Sequence, residues 1–178
     1  MRTRVAEIAV GSAPRTLALA PDGRIWVVNK GAASISIVSP STLAVVQTVS
    51  LARASQPYGI VIGSDGTAFV THEATGALTR VAGNSTVGTS VNLSANLPHL
   101  ALNAAGTQLL ASRFVTPALP GEGTAAVQTS VAGSARGGEV LVVTPSTLAL
   151  QRTIVLQHSE RPDTTVSGRG IPNYLGAP

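Results

Sequence analysis

From Pro14 onward the chain alternates apolar and polar positions over short runs broken by small turn-forming clusters. No segment returns its apolar residues every three to four positions, as an amphipathic helix must. Thr16 to Ala20 is small and apolar, Pro21-Asp22-Gly23 is a turn, and Ile25-Trp26-Val27-Val28 has the aromatic and β-branched make-up that pleated, half-buried positions favour. Gly23 can take the positive φ of a tight reversal, and Asp22 can hydrogen-bond its own backbone there. After Asn29-Lys30-Gly31, Ser34 to Val38 alternates as a strand with one buried face, and Ser39-Pro40-Ser41-Thr42 turns the chain into Val45 to Leu51. Residues 14–51 are therefore predicted to form four short strands.

The same unit returns. A shift of 43 residues sets Pro57 on Pro14, Asp65-Gly66 on Asp22-Gly23, Phe69-Val70 on Trp26-Val27, and Leu78 and Val81 on Ile35 and Val38. A shift of 83 sets Leu100, Leu102 and Gly106 on Leu17, Leu19 and Gly23, and Leu109-Leu110 on Trp26-Val27, in a third copy that begins at Pro98. From Glu139 the shift becomes 105, where residues 38–49 and 143–154 agree at seven of twelve positions, so the third copy contains a 22-residue insertion.

A period near forty residues with four strands per period is the mark of a propeller blade, since each sheet buries its faces only against neighbouring blades. The expected fold is all-β: a partial β-propeller of about three four-stranded antiparallel blades, at 14–51, 57–93 and 98–156, plus the start of a fourth, in one domain spanning 1–178. The pattern P-x-x-[LI]-x-[LI]-x-x-D-G-x-x-[WF]-V, followed by S-I-S-I-V and V-x-T-V, resembles the YVTN-type β-propeller repeat over residues 8–156. Where that family often has Tyr-Val-Thr-Asn, this chain has Trp26-Val27-Val28-Asn29 and Phe69-Val70-Thr71-His72, and Leu109-Leu110-Ala111-Ser112 matches least well. Residues 112–178 are also similar to segments of large bacterial propeller proteins of this type, some of which carry a c-type haem domain akin to di-haem peroxidases. The resemblance implies an exported protein, periplasmic or extracellular, with any c-type haem on a separate domain.

Composition narrows the rest. With 44% hydrophobic and 11% charged residues the chain can build a core, and at 3% aromatic content Ala, Val, Leu and Ile must fill it. The net charge of +4 is scattered, with no basic run or interleaved aromatics, so nucleic acid is not an expected partner. Cysteine is absent, so these residues hold no disulfide, no thiolate metal site and no C-x-x-C-H haem attachment. Met1-Arg2-Thr3-Arg4 leads into Val-Ala-Glu rather than an apolar run, so no signal peptide is read here, and no stretch approaches a membrane span. Leu175-Gly176-Ala177-Pro178 resembles the approach to Pro14, which leads us to expect a longer protein that supplies the remaining blades, with self-association as the alternative.

Two segments break the period: 117–138, between the second and third strands of unit three, and 158–177, after its fourth strand. If the innermost strand leads each unit, second-to-third and fourth-to-first connections emerge on one face, and both insertions lie there. Arg15, Lys30, Tyr58, His72, Glu73, His99 and Arg113 flank connections on that face and are the candidate binding residues for a protein or small-molecule ligand. His72, Glu73 and His99 are the types that ligate divalent metals, but their spacing is not diagnostic and no metal site is assigned. Lys30 and Arg113 share a repeat position on the 83-residue shift, with Glu73 between them, which predicts an ion-paired rim. Glu160, Arg161 and Asp163 read as a hydrogen-bonded loop, and Asn84-Ser85-Thr86 fits a glycosylation sequon. No nucleophile-elbow or phosphate-loop sequence occurs, so no catalytic residue is named. The chain reads as a non-catalytic binding scaffold without a cofactor of its own. The alternative is part of a propeller enzyme, either a metal-dependent lyase or lactonase or an electron-transfer protein.

Overall fold

The computed structural model describes residues 4–94, 96–113, 136–157, 159–162 and 170–173. The described residues form three four-stranded antiparallel sheets and a two-stranded one, with no helix among them. The first sheet runs β1 (Pro14–Leu19), β2 (Ile25–Asn29), β3 (Ser34–Ser39) and β4 (Ala44–Ser50). The second runs β5 (Pro57–Ile62), β6 (Ala68–His72), β7 (Ala77–Val81) and β8 (Val87–Asn92). The third runs β9 (His99–Leu102), β10 (Leu109–Arg113), β11 (Arg136–Val143) and β12 (Leu150–Gln157). In each sheet consecutive strands are neighbours, and β1 packs on β5 and β5 on β9. Each sheet thus leads with its innermost strand, and the three stand side by side as blades of a β-propeller.

The inner strands approach closely because Gly59 of β5 has no side chain. A Cβ there would lie 2.6 Å from the Pro98 carbonyl oxygen. The Thr71 hydroxyl spans the same gap, donating to that carbonyl at 3.1 Å.

Two apolar layers fill the spaces between blades. Residues paired across strands share a face, so Trp26, opposite Ala18 and Ile37, points with Val28, Ile35 and Val49 toward blade two. There they meet Ile60, Ala68, Val70 and Val81 in one buried cluster. The opposite side of blade two sends Phe69, Leu78, Val61 and Val91 against Leu100, Leu102, Leu109, Ala111, Leu141 and Val143 of blade three. Strand β6 is buried on both faces because a blade lies on each side, whereas β4 and β8, at the rim, are mostly exposed.

The Asp-Gly turns close as their residues require. Gly23 and Gly66 have φ of 82° and 81°. Asp22 accepts from the Arg24 backbone at 3.0 Å, and Asp65 accepts from that of Thr67 at 2.9 Å. The Arg24 side chain and then its backbone hold the Asp22 carboxyl below the usual aspartate value, and the Thr67 backbone and then its hydroxyl do so for Asp65.

The third turn departs from the 83-residue shift. Leu102 pairs with Leu109 across one residue more than separates Leu19 from Ile25 or Ile62 from Ala68. Asn103 organises this longer turn, its side-chain oxygen accepting from the backbones of Thr107 and Gln108. One inserted residue moves every following side chain to the other face. Leu110, not Leu109, therefore stands where Trp26 does, opposite Ala101 and Val142, and Leu109 faces blade two.

Of the first period-breaking segment, 117–135 lies outside the described residues, and Arg136–Gly138 begin β11. In the second, β13 (Ser159–Pro162) and β14 (Gly170–Asn173) pair as an antiparallel ribbon. Glu160 and Arg161 are thus strand residues rather than loop, while residues 163–169 and 174–178 lie outside the described set.

Candidate functional site

The ends of the inner and second strands converge on the face that carries the second-to-third and fourth-to-first connections. Backbone bonds tie these connections together: Lys30 donates to Ala13, Glu73 to Gln56, and Asn96 to Glu73, at 2.9, 3.0 and 3.0 Å. Lys30 follows β2 and Glu73 follows β6, and their side chains form an ion pair across the boundary between the first two blades. The Lys30 ammonium also lies 5.5 Å from the centre of the Tyr58 ring, within reach of its electron-rich face. Tyr58 in turn meets the His99 ring edge-on, with centroids 5.1 Å apart and planes at 87°. Lys30, Glu73, Tyr58 and His99 thus form a continuous chain of contacts over all three blades.

Beside it, Arg113 at the end of β10 pairs with Glu139 of β11 at 3.3 Å, with side chains only 14% and 3% exposed. Removing two charges from water is costly, so each requires the other. Nε of Arg113 is buried without a hydrogen-bond partner among the described residues. Between the aromatic pair and this ion pair lies an open cleft of about 500 Å³, walled also by Asn96, Pro98, Ser112, Gly138 and Val140. It offers an aromatic platform, an imidazole and two neutralised ion pairs, a lining suited to holding a polar ligand in a fixed orientation.

Of the seven residues named from sequence, Tyr58, Glu73, His99 and Arg113 line this cleft, and Lys30 braces it from behind. Arg15 is exposed on β1 and does not line it. His72 flanks a connection of that face, but its side chain is buried beneath it. It ends β6, is 1% exposed, and has Nδ1 2.7 Å from the Ser55 hydroxyl and Nε2 2.8 Å from that of Thr79. Burial pushes its pKa down to about 4. Both ring nitrogens are occupied inside the sheet, so His72, Glu73 and His99 do not converge as ligands would. Among the described residues no group of three metal-ligating side chains comes together.

The longer third turn also reassigns Arg113. It pairs with Glu139 across the strands as Asn29 pairs with Ser34, so its repeat position is that of Asn29 and His72, not of Lys30. Each blade keeps a polar residue at this strand end, buried in the first two and half-buried in the third, bonded to the third strand: Asn29 to Ser34 and Ser36, His72 to Thr79, and Arg113 to Glu139. Glu139 was missed in the sequence, although a lone acid opening the Val140–Val143 run marked it as a residue needing a buried cation.

The Asn84-Ser85-Thr86 sequon sits on the opposite face, with Asn84 exposed at a turn and the Ser85 hydroxyl donating to Gln47 at 3.0 Å. No helix among the described residues is long and apolar enough to cross a membrane.

The fold makes this chain a segment of a β-propeller, and solved structures agree. It superposes on hydrazine synthase of Kuenenia stuttgartiensis with a TM-score of 0.70 at 20% identity, covering 89% of this chain and 42% of that one. Virginiamycin B lyase of Staphylococcus aureus gives a TM-score of 0.56 at 15% identity, over 82% of this chain and 41% of that one. Dihydro-heme d1 dehydrogenase NirN gives 0.60 at 13% identity, over 87% and 31%. The chain therefore spans less than half the length of these structures, and at such identities the likeness establishes the fold alone. No protein-family model and no curated protein matches the sequence.

Proposed function

We propose that this chain is a non-catalytic, ligand-binding segment of a β-propeller of the YVTN type, within a larger exported bacterial protein. The observation that carries the reading is the convergence of Tyr58 and Glu73 of blade two with His99 and Arg113 of blade three on one cleft. Its charges are matched in pairs, Lys30 with Glu73 and Arg113 with Glu139, as in a rim built to position a ligand rather than to exchange protons. The remaining blades complete the ring around it, and export follows from the family resemblance.

A second reading places the cleft in a propeller enzyme, a metal-dependent lyase or lactonase or an electron-transfer protein with a c-type haem on another domain. The exposed imidazole of His99 beside Glu73 and Tyr58 favours it, and the similar structures include a lyase and a dehydrogenase. Ligand-observed NMR of the intact protein with a panel of small polar aromatic compounds tests the first reading. Binding lost in Tyr58→Ala and Arg113→Ala but kept in Arg15→Ala supports it. Equal binding by all variants, or none by any, refutes it. Stoichiometric metal bound through His99, or turnover abolished by His99→Ala, would establish the enzyme instead.

A further inference from the structure

Arg80 breaks the repeat at a position that is apolar in the other two blades. It pairs with Phe69 as Ile37 pairs with Trp26 and Val142 with Leu110, so all three stand at one place on the third strand of their blades. Ile37 and Val142 are fully buried there. Paired residues share a face, and Phe69 projects toward blade three, so Arg80 brings a charge into the boundary between blades two and three.

An open cleft of about 380 Å³ lies beside it, on the face opposite the ligand cleft. Its walls are the second Asp-Gly turn, the lengthened third turn at Ala105 and Gly106, and Pro145 and Ser146 between β11 and β12. Two departures from the repeat, a guanidinium in an apolar place and an extra turn residue, thus meet at one cleft.

The lining leaves that guanidinium largely unspent. Nη1 of Arg80 donates to the Ser146 carbonyl at 3.0 Å, and its other donors have no partner among the described residues. Asp65, the carboxylate of the lining, is taken up by its own turn, accepting from the Thr67 backbone and hydroxyl at 2.9 Å each. Phe69 and Leu102 give the cleft an apolar floor, and the exposed Ser64 and Ser146 edge it.

We propose that this cleft is a second binding site, for a small organic acid. The carboxylate takes the unpaired donors of Arg80, whose planar fork matches it in shape and charge, and the aliphatic body lies on Phe69 and Leu102. Both walls belong to blades of this chain, and the site shares no residue with the ligand cleft on the other face.

The test is ligand-observed NMR of the intact protein with hexanoate, and with hexanamide as its uncharged counterpart. Hexanoate should bind, and hexanamide should bind about tenfold or more weakly, as when a charge-assisted contact becomes a neutral one. Arg80→Ile installs the residue found at this position in blade one. It should abolish hexanoate binding while melting at or above the temperature of the unsubstituted chain, which separates loss of the site from loss of the fold. Arg80→Gln reads the same loss should the isoleucine variant not fold. Arg24→Gln, the same change of charge at the first turn of this face, should bind hexanoate unchanged. Binding that survives Arg80→Ile, that hexanamide equals, or that is absent at millimolar concentration overturns the proposal and leaves Arg80 as a clamp on blade three through Ser146.

Discussion

Trp26 and Phe69 occupy the same place in successive blades, opposite Ala18 and Val61 on the inner strand, and are 1% and 4% exposed. Each projects into the layer that joins its own blade to the next. The repeat is therefore a repeat of interfaces as much as of sheets, and the large residue on the second strand is the main filler of each layer.

Truncating that filler should loosen one layer at a time. Trp26→Ala and Phe69→Ala are each expected to cost about 3–5 kcal/mol, the range for large aromatic residues removed from a packed core. Leu110→Ala, at the equivalent but half-buried place in blade three, should cost less. Urea titrations measure the difference, and an equal loss at all three positions would mean that Leu110 is packed as fully as the two aromatic residues.

His72 makes stability depend on pH in a definite direction. Its pKa is about 4 in the folded chain because burial disfavours the charged ring, against an ordinary value of 6.5. Between these values the unfolded chain binds the proton more readily, so stability is full above pH 6.5 and falls as pH drops toward 4. The loss should reach on the order of 3 kcal/mol. His72→Asn, which installs the residue found at this position in blade one, should flatten the profile between pH 4 and 6.5. Thermal melts across that range will show whether the slope persists.

Gly59 is required by the approach of β5 to β9. An added Cβ would meet the Pro98 carbonyl oxygen at 2.6 Å and the Thr71 hydroxyl at 2.8 Å, both held in place by strands. Gly59→Ala should therefore destabilise by about 1–3 kcal/mol, as overpacking does. Gly88→Ala, whose nearest neighbour would be the Arg80 carbonyl oxygen at 3.3 Å on the rim, should cost less. Guanidinium unfolding of the two variants compares them directly.

The pair between Lys30 and Glu73 is partly exposed, with side chains 22% and 32% accessible, so its contribution is set by solvent screening. A double-mutant cycle with Lys30→Met and Glu73→Gln should give about 0.2–1 kcal/mol of coupling that shrinks with added salt. Coupling that resists salt would show that the pair is shielded from solvent more than its accessibility implies.

Much of this protein follows from sequence alone because its determinants are local. Alternation sets which residues of a strand share a face, Asp22-Gly23 and Asp65-Gly66 set the turns, and a period near forty sets the number of sheets. The ion-paired rim was also legible, since Lys30 and Glu73 fall at one repeat position in adjacent blades. Which face carries the candidate site followed from the order of the strands alone.

The tertiary structure decided what depends on register and on distant neighbours. The third turn accommodates an extra residue between Gly106 and Leu109, and only the strand pairing reveals that it turns Leu109 inward and carries Arg113 from the place of Lys30 to that of His72. His72 was expected to face a ligand where its strand meets the connection before Glu73, but Ser55 and Thr79, from the preceding connection and the neighbouring strand, draw its ring into the sheet. Glu139 gains its role from Arg113, a partner far away in sequence and adjacent only once β10 and β11 pair. Local alternation tells a side chain which face to take, but the partner it meets there is fixed by strand register and by the blade alongside.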